Sequence, residues 1–397
     1  MDFGLSEEQQ RIREAIAKLC TRFDDDYWLA RDRASEKGAG SDKGTGSDKS
    51  EAGGFPSDFH QAMARDGWLG IAMPEEFGGA GLGIAEAAVM MQAIAESGAG
   101  FSGASAVHMN IFGLNPVVVF GNQAQKERML PPLIAGKHRA CFAVTEPNTG
   151  LNTKKIKTKA EKRGDQYVVT GQKVWISTAQ VAEKVLLLAT TNIGLTLFYT
   201  DLDRRHVEVR EIDKMGRHAV DSNQVFFDAL PVPEEDRIGE EGRGFEYILH
   251  GMNPERILIA AELVGLGRCA VARAAKYAKE RIVFDRPIGQ NQAIQHPLAA
   301  CWMQLEAANL MAFKAASLYD GGLPCGVEAN AAKYLAGEAC FKACETALMT
   351  HGGMGYAKEF HVERYLRESL VVRIAPITPH LILSFIAERA LGLPKSY

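Results

Sequence analysis

The chain has none of the features that mark several large protein classes. Among its 397 residues, 45 basic and 49 acidic side chains nearly balance, so the composition does not favour a nucleic-acid binder or a basic membrane anchor. Seven cysteines are scattered without metal-ligand spacing, which predicts reduced thiols and no metal site. Residues 1–5 do not resemble a secretory signal, and no apolar run is long enough to span a membrane. We therefore expect no membrane span and a cytoplasmic location, or the mitochondrial matrix if the chain is a processed eukaryotic one.

A glycine-rich dinucleotide motif is also missing. No G-x-G-x-x-G occurs where a strand would meet a helix, so the sequence shows no Rossmann site for NAD. Side chains do not accept hydride, and a redox activity would therefore need a different cofactor.

The hydrophobic periodicity divides the chain into three segments. Residues 1–140 and 240–397 have helical spacing, with a capping-box start at Ser6 and Gln9, whereas 141–239 alternate as short strands between Gly, Asp and Asn turns. Residues 34–54 are rich in Gly, Ser, Asp and Lys, which predicts a solvated loop. The predicted strands are 166–170, 173–176, 185–189, 195–199, 207–212 and 225–227. The predicted long helices are 245–284, 292–320, 327–351 and 378–391, enough for a four-helix bundle.

The most informative stretch is residues 141–178, CFAVTEPNTGLNTKKIKTKAEKRGDQYVVTGQKVWIST. A Thr-Glu-Pro turn and an Asn-Thr-Gly loop precede a hairpin that turns near Gly164 and Asp165, and the second strand ends on Trp175 and Ser177. An indole beside hydroxyl and N–H donors can hold a planar aromatic cofactor. The alternative is that Trp175 is an ordinary core residue of a strand.

As a whole, this stretch resembles the V-T-E-P-x-x-G-S … G-x-K-x-W-I-T/S segment of the flavin-dependent acyl-CoA dehydrogenases, and the resemblance extends from the N-terminus to the last helix. It implies a mainly α protein with a central β domain. The implied domains are an N-terminal helical domain (1–140), a middle β-barrel (141–239) and a C-terminal four-helix bundle (240–397). It also implies bound FAD, an acyl-CoA substrate, an electron-transfer flavoprotein as electron acceptor, and a homotetramer.

The resemblance assigns the flavin contacts to three places. Ser177 would hydrogen-bond near N5 of the flavin, and the R-x-x-F-x-x-P-I-x-x-x-Q segment that begins at Arg281 would reach the FAD of a neighbouring subunit. Taken locally, Arg281 is more typical of a surface residue, and the matching context reverses that. Gly352 is locally as typical of a helix end as of a cofactor contact. The implied FAD contacts are Phe142, Val144, Thr145, Trp175, Ile176, Ser177, Arg281, Phe284, Asn291, Gln292, Gly352, Gly353 and Thr378.

The catalytic base departs from the common family pattern. Most relatives carry it as Glu in I-Y-E-G-T, but residues 374–378 read IAPIT here. The isovaleryl and long-chain branches place the base on a bundle helix, where this chain has GMNPERILIAAELVGLG, and the matching residue is Glu255. Glu262 is the second candidate. The alternative is that Glu255 is a solvated residue of a helix's first turn, after Pro254.

The resemblance also implies substrate contacts at Leu151, Asn253 and Arg256, with residues 101–106 at the end of the acyl pocket. Leu151 replaces a family serine, and Met349 replaces a family glutamine. Pro376 lacks the backbone N–H that binds the thioester oxygen in relatives, and such a donor contributes ~3 kcal/mol. The small residues at 101–106 would leave room in the pocket, and the acyl chain is left open between medium, long and branched.

Two alternatives to an acyl-CoA dehydrogenase remain. One is a flavin-dependent monooxygenase or oxidase of the same fold acting on a non-standard substrate, which Pro376 would suit. The other is a helical scaffold that has lost its cofactor.

Overall fold

The computed structural model of the chain describes residues 4–38, 54–109 and 113–396. The predicted loop at 34–54 lies largely outside them, although α2 continues through residues 34–38. The N-terminal helices are α1 (Glu7–Cys20), α2 (Asp25–Gly38), α3 (Ser57–Arg65), α4 (Ile84–Ile94), α5 (Gly100–His108), α6 (Asn115–Phe120) and α7 (Gln123–Ile134). The capping box at the start of α1 is confirmed, because the side chains of Ser6 and Gln9 each accept the other's backbone N–H at 3.1 Å.

The middle of the chain forms one eight-stranded mixed sheet in the order β6-β7-β3-β2-β4-β5-β8, with β1 parallel to β4. Its strands are β1 (Ala140–Ala143), β2 (Lys159–Arg163), β3 (Gln166–Ser177), β4 (Lys184–Thr190), β5 (Leu195–Asp201), β6 (Val207–Glu211), β7 (Ser222–Pro233) and β8 (Arg237–Ile238). Two predicted strands, 166–170 and 173–176, are one strand, β3. It is interrupted by shifts in register after Val169 and after Lys173, and bulges of this kind redirect side chains.

The C-terminal part contains α8 (Gly244–Glu280), α9 (Gln292–Asp320), α10 (Gly326–His351), α11 (Val362–Ile374) and α12 (Pro379–Arg389). The helix predicted to reach residue 284 ends at Glu280, and a hairpin of β9 (Ile282–Val283) and β10 (Arg286–Pro287) follows. Helix α11 is absent from the sequence prediction. Among the described residues, no single helix is long and apolar enough to cross a membrane; α11 and α12 meet that criterion only as a pair bent by 44°.

The N-terminal and C-terminal helices share one hydrophobic core, which includes Ile16 of α1, Met91 of α4 and Leu263 of α8. Helix α11 fixes the start of α5 within it. The Glu368 carboxylate of α11 accepts the backbone N–H of Phe101 at 2.8 Å and the Ser102 hydroxyl at 2.6 Å. A carboxylate at a helix N-terminus satisfies N–H groups that have no intrahelical partner. This contact sets the position of α5 against α8.

Candidate active site

A buried ion pair clamps the Thr-Glu-Pro loop onto strand β3. Lys173 is fully buried, and its Nζ donates to the Val144 carbonyl at 2.9 Å and to Glu146 Oε1 at 3.1 Å. Glu146 also accepts the Thr158 N–H and hydroxyl at 2.9 and 2.6 Å. Burial would raise the pKa of Glu146, but Thr158 and Lys173 hold it below its usual value. The loop is therefore rigid, because the carboxylate and the ammonium are both satisfied.

Trp175 lies at the second register shift of β3 and is not a core residue. Its φ is 61°, in the left-handed region, and its side chain is 60% exposed. A non-glycine residue in this conformation carries strain that surrounding structure must hold. The neighbouring Ile176 is buried in the core of the sheet, so it presents only its backbone outward. The core interpretation of Trp175 is therefore wrong, and the indole is available to stack on a ligand.

Ser177 is held by an arginine that the sequence did not single out. Arg217 Nη2 donates to the Ser177 hydroxyl at 2.9 Å and to the Ser222 hydroxyl at 2.8 Å. Its guanidinium lies over the Phe101 ring of α5 at 5.9 Å, and its φ of 58° is again left-handed. Because Ser177 accepts from Arg217, its own hydrogen remains for another acceptor.

Glu255 is buried in the interior of α8. The helix begins at Gly244, about three turns earlier, so the helix-start interpretation is wrong. Only 7% of the residue is exposed, and Oε2 has no hydrogen-bond partner among the described residues. Burial raises the pKa of Glu255 to about 7, although His108, Arg256 and Lys333 oppose the shift. A carboxylate with this pKa is a competent general base near neutral pH.

Two groups near Glu255 come from distant segments. His108 of α5 places Nδ1 2.6 Å from Glu262 Oε1, and Glu262 is fully buried. Lys333 of α10 donates from Nζ to the carbonyls of Arg373 and Ile377, at 2.9 Å each. Burial lowers the pKa of Lys333 to about 8. Lys333 therefore connects the surroundings of Glu255 to residues 374–378, where most relatives carry their base.

The predicted substrate contacts differ in their setting. Asn253 and Arg256 are on α8 beside Glu255, where Arg256 Nη1 donates to the Met252 carbonyl at 3.2 Å and contacts Asn253 Oδ1 at 3.4 Å. Leu151 is 55% exposed in the loop that follows the Thr-Glu-Pro turn.

The predicted flavin contacts fall into separate groups. Phe142, Val144, Thr145, Trp175, Ile176 and Ser177 are together on β1, β3 and the loop between them, where the Val174 N–H donates to the Thr145 carbonyl at 2.9 Å. The others are elsewhere: Arg281, Phe284, Asn291 and Gln292 follow the end of α8, Gly352 and Gly353 are exposed in a turn after α10, and Thr378 caps α12. Arg281 lies 26 residues beyond Glu255, about 39 Å along α8 at 1.5 Å per residue. Glu255 and Arg281 of one chain therefore cannot both contact the same reacting centre.

These residues suit a flavin. The exposed Trp175 offers a stacking surface, and Ser177, with its hydrogen left over, offers a donor for the polar edge of a ring. An exposed indole, a directed hydroxyl and a buried carboxylate of raised pKa are together suited to redox chemistry on a bound aromatic cofactor.

Comparisons with known proteins give the family. The N-terminal, middle and C-terminal domains of acyl-CoA dehydrogenases match residues 45–137, 141–230 and 242–391. The chain is 35% identical to acyl-CoA dehydrogenase FadE12 of Mycobacterium tuberculosis, over 99% of this chain and 98% of the relative. The chain therefore belongs to the acyl-CoA dehydrogenase family and is an oxidoreductase.

Two solved structures share the fold over nearly their whole length. A glutaryl-coenzyme A dehydrogenase in complex with glutaryl-CoA matches with a TM-score of 0.90 and 28% identity, covering 100% of this chain and 98% of that one. The FAD complex of PigA matches with a TM-score of 0.89 and 25% identity, covering 99% and 100%. These comparisons confirm the predicted fold of a helical, a β and a second helical domain.

Proposed function

We propose that the protein is an FAD-dependent acyl-CoA dehydrogenase that converts an acyl-CoA to a trans-2-enoyl-CoA. The observation that carries the proposal is Glu255, a buried carboxylate whose Oε2 has no hydrogen-bond partner among the described residues and whose pKa is about 7. It lies on the helix that resembles the one carrying the base in the isovaleryl and long-chain branches. Removing the α proton to Glu255 Oε2 leaves an electron pair that forms the C=C bond as the β hydrogen departs with its own pair. FAD, when bound, would supply the acceptor for that hydride.

The chain's own residues prepare this reaction. The clamp of Lys173 on Glu146 and Val144 fixes the loop that we propose to line the flavin, and Arg217 directs the Ser177 hydroxyl. Around Glu255, the buried Ile257, Leu258 and Ile259 exclude water, which keeps the carboxylate's pKa high enough to accept a weakly acidic proton.

The test is anaerobic reduction of the FAD-loaded protein by a panel of acyl-CoA thioesters, followed as loss of oxidised-flavin absorbance. We expect reduction whose rate constant rises with pH to a plateau above about 7, the pKa of Glu255. Glu255→Gln should bind FAD normally and reduce it ~100-fold or more slowly, on the usual scale of general-base catalysis.

An exposed carboxylate provides the control. Glu208→Gln on β6, where Glu208 pairs with Arg210 at 2.6 Å on the surface, should behave as wild type. If Glu255→Gln reduced flavin at wild-type speed, the base would be assigned wrongly and Glu262→Gln would be the next variant to measure.

Pro376 favours a second candidate, a monooxygenase or oxidase of the same fold. Without an N–H at residue 376 the usual contact to the thioester oxygen is missing. Rapid reoxidation of the reduced flavin by oxygen with product bound would support this candidate. Slow reoxidation by oxygen and fast reoxidation by an electron-transfer flavoprotein would support the dehydrogenase, for which we propose that flavoprotein as the partner.

A further inference from the structure

A second buried polar cluster lies on α5 and α8, and the proposed reaction does not use it. His108 Nδ1 is 2.6 Å from Glu262 Oε1, and Glu262 is completely buried. Burial alone would lower the pKa of His108, but the Glu262 carboxylate raises it above its ordinary value. The two side chains therefore form an ion pair inside the protein, which is costly unless every polar atom is satisfied.

The ion pair is not fully satisfied. Oε2 of Glu262 and the hydroxyl of Ser105, which is 5% exposed, have no hydrogen-bond partner among the described residues. Ser105 precedes His108 by three residues on α5, so both side chains are on the same face of that helix. Buried polar atoms are almost always hydrogen-bonded. Glu262 Oε2 can only accept a hydrogen bond, whereas the Ser105 hydroxyl can donate one. A single group that donates to the first and accepts from the second would satisfy both.

The cluster is aligned with the proposed base. Glu262 follows Glu255 by seven residues, so both carboxylates lie on one face of α8 and about 10 Å apart along its axis. An extended chain covers roughly 1.2 Å per bond, which places the cluster about eight bonds from the α carbon. An acyl chain that ran along α8 from Glu255 would therefore reach the cluster with its distal end, beside α5, which carries Ser105 and His108.

We infer that the acyl group of the substrate carries a hydroxyl near its distal end, which donates to Glu262 Oε2 and accepts from Ser105, while His108 holds Glu262 in position. The inference rests on the proposed function. Paired with His108, Glu262 contributes little net charge, which suits a neutral hydroxyl better than a terminal carboxylate. An unsubstituted chain would leave Oε2 buried without a partner.

The test uses matched acyl-CoA thioesters of equal chain length that end in methyl, hydroxyl or carboxylate, with aliphatic and aryl spacers. Two quantities are measured: kcat/KM for flavin reduction by the FAD-loaded wild type, and Kd in the Glu255→Gln background, where binding is free of turnover. We expect the hydroxylated thioester to be preferred over the methyl-ended one by ~10 to 100-fold, the scale of the penalty for leaving a buried donor or acceptor without a partner.

Two variants attribute the preference to the cluster. Glu262→Gln keeps the size of the side chain but removes the charge, and should weaken the preference. His108→Leu with Glu262→Leu removes the ion pair and should reverse the preference toward the methyl-ended chain. If the double variant does not bind FAD, the effect of Glu262→Gln on the hydroxyl preference decides whether the cluster is responsible. Glu208→Gln on the surface should leave the preference unchanged.

The inference is overturned if the methyl-ended or carboxylated thioester is preferred by the wild type, or if Glu262→Gln retains the full hydroxyl preference. The proposed function fails separately, when no thioester reduces the flavin. Binding then decides the inference by itself: a hydroxyl preference in Kd supports the subsite, and equal Kd values overturn it.

Discussion

Glu255 lies in the interior of α8, away from water, and its raised pKa lowers the free energy of unfolding at neutral pH. Its folded-state pKa of about 7 is raised above the ordinary 4.5, so the folded protein favours the protonated form. The contribution of Glu255 to the free energy of unfolding is therefore fully present below pH 4.5. It is lost as the pH rises through about 7. The difference of 2.5 pH units corresponds to up to about 3 kcal/mol at 1.36 kcal/mol per unit.

Glu255→Gln has no titrating group at this position. We therefore expect its free energy of unfolding to exceed that of wild type increasingly between pH 4.5 and 7, and to level off above that range. Chemical denaturation of both proteins with FAD bound, at several pH values, measures this difference. A gap independent of pH would show that Glu255 does not titrate in this range.

The sequence points to Glu255 as a candidate base, but it does not reveal the buried residues around it. Glu255 is recognisable because the common position, Pro376, cannot act as a base and one alternative position holds a carboxylate. His108 is 154 residues from Glu262 along the chain, and nothing in its own neighbourhood marks it as paired. The available signal is Glu262 itself, because a carboxylate seven residues after the proposed base, in an otherwise apolar run, implies a buried partner.

At the scale of elements, Lys333 joins α10 to the chain between α11 and α12. Its two hydrogen bonds to the carbonyls of Arg373 and Ile377 fix residues 374–378, and its charge lowers the pKa of Glu255. Removing the ammonium should therefore change both the stability of the protein and the pKa of Glu255.

We expect Lys333→Met to lower the free energy of unfolding by about 1–3 kcal/mol, because two carbonyls lose their donor. The acid limb of the pH profile for flavin reduction should move to higher pH, because the Glu255 carboxylate loses a neighbouring positive charge. The matched control is Lys342→Met on the same helix, where the ammonium pairs with Glu345 at 2.8 Å on the surface. A lowered stability with an unmoved acid limb would mean that Lys333 acts only on the loop.

Element prediction fails where polar residues are buried. Helix α11 has no clear apolar stripe in the sequence, because its inward face contains Arg364 and Glu368, which are buried as an ion pair at 2.9 Å. The division of β3 into two predicted strands follows from Gly171, whose φ of 158° is close to extended and does not end a strand. The long helices α9 and α10 were predictable because their apolar spacing continues without interruption.

At the scale of the molecule, the end of α8 indicates assembly. The hairpin after α8 turns through Phe284 and Asp285, with φ of 51° and 62°, and positive φ at both positions is the two-residue turn that matches strand twist. Asp tolerates this conformation, but Phe does not favour it. Phe284 is also 94% exposed in a single chain. A strained and exposed aromatic residue just beyond the end of α8, which lies about 38 Å along the helix from the proposed base, is typical of a contact with another subunit.

We propose a homotetramer in which the Arg281–Gln292 segment completes the FAD site of a neighbour. Phe284→Asp should then reduce both the assembly and the FAD occupancy, measured by light scattering and flavin absorbance on the same samples. Arg281→Gln should weaken FAD binding and leave the assembly intact, because a guanidinium contributes a phosphate contact and little apolar area. The control is Ile193→Asp, another exposed apolar residue in a turn, 71% exposed between β4 and β5, which should change neither quantity. A wild-type monomer with full FAD occupancy would contradict the proposal, since one chain would then supply every contact.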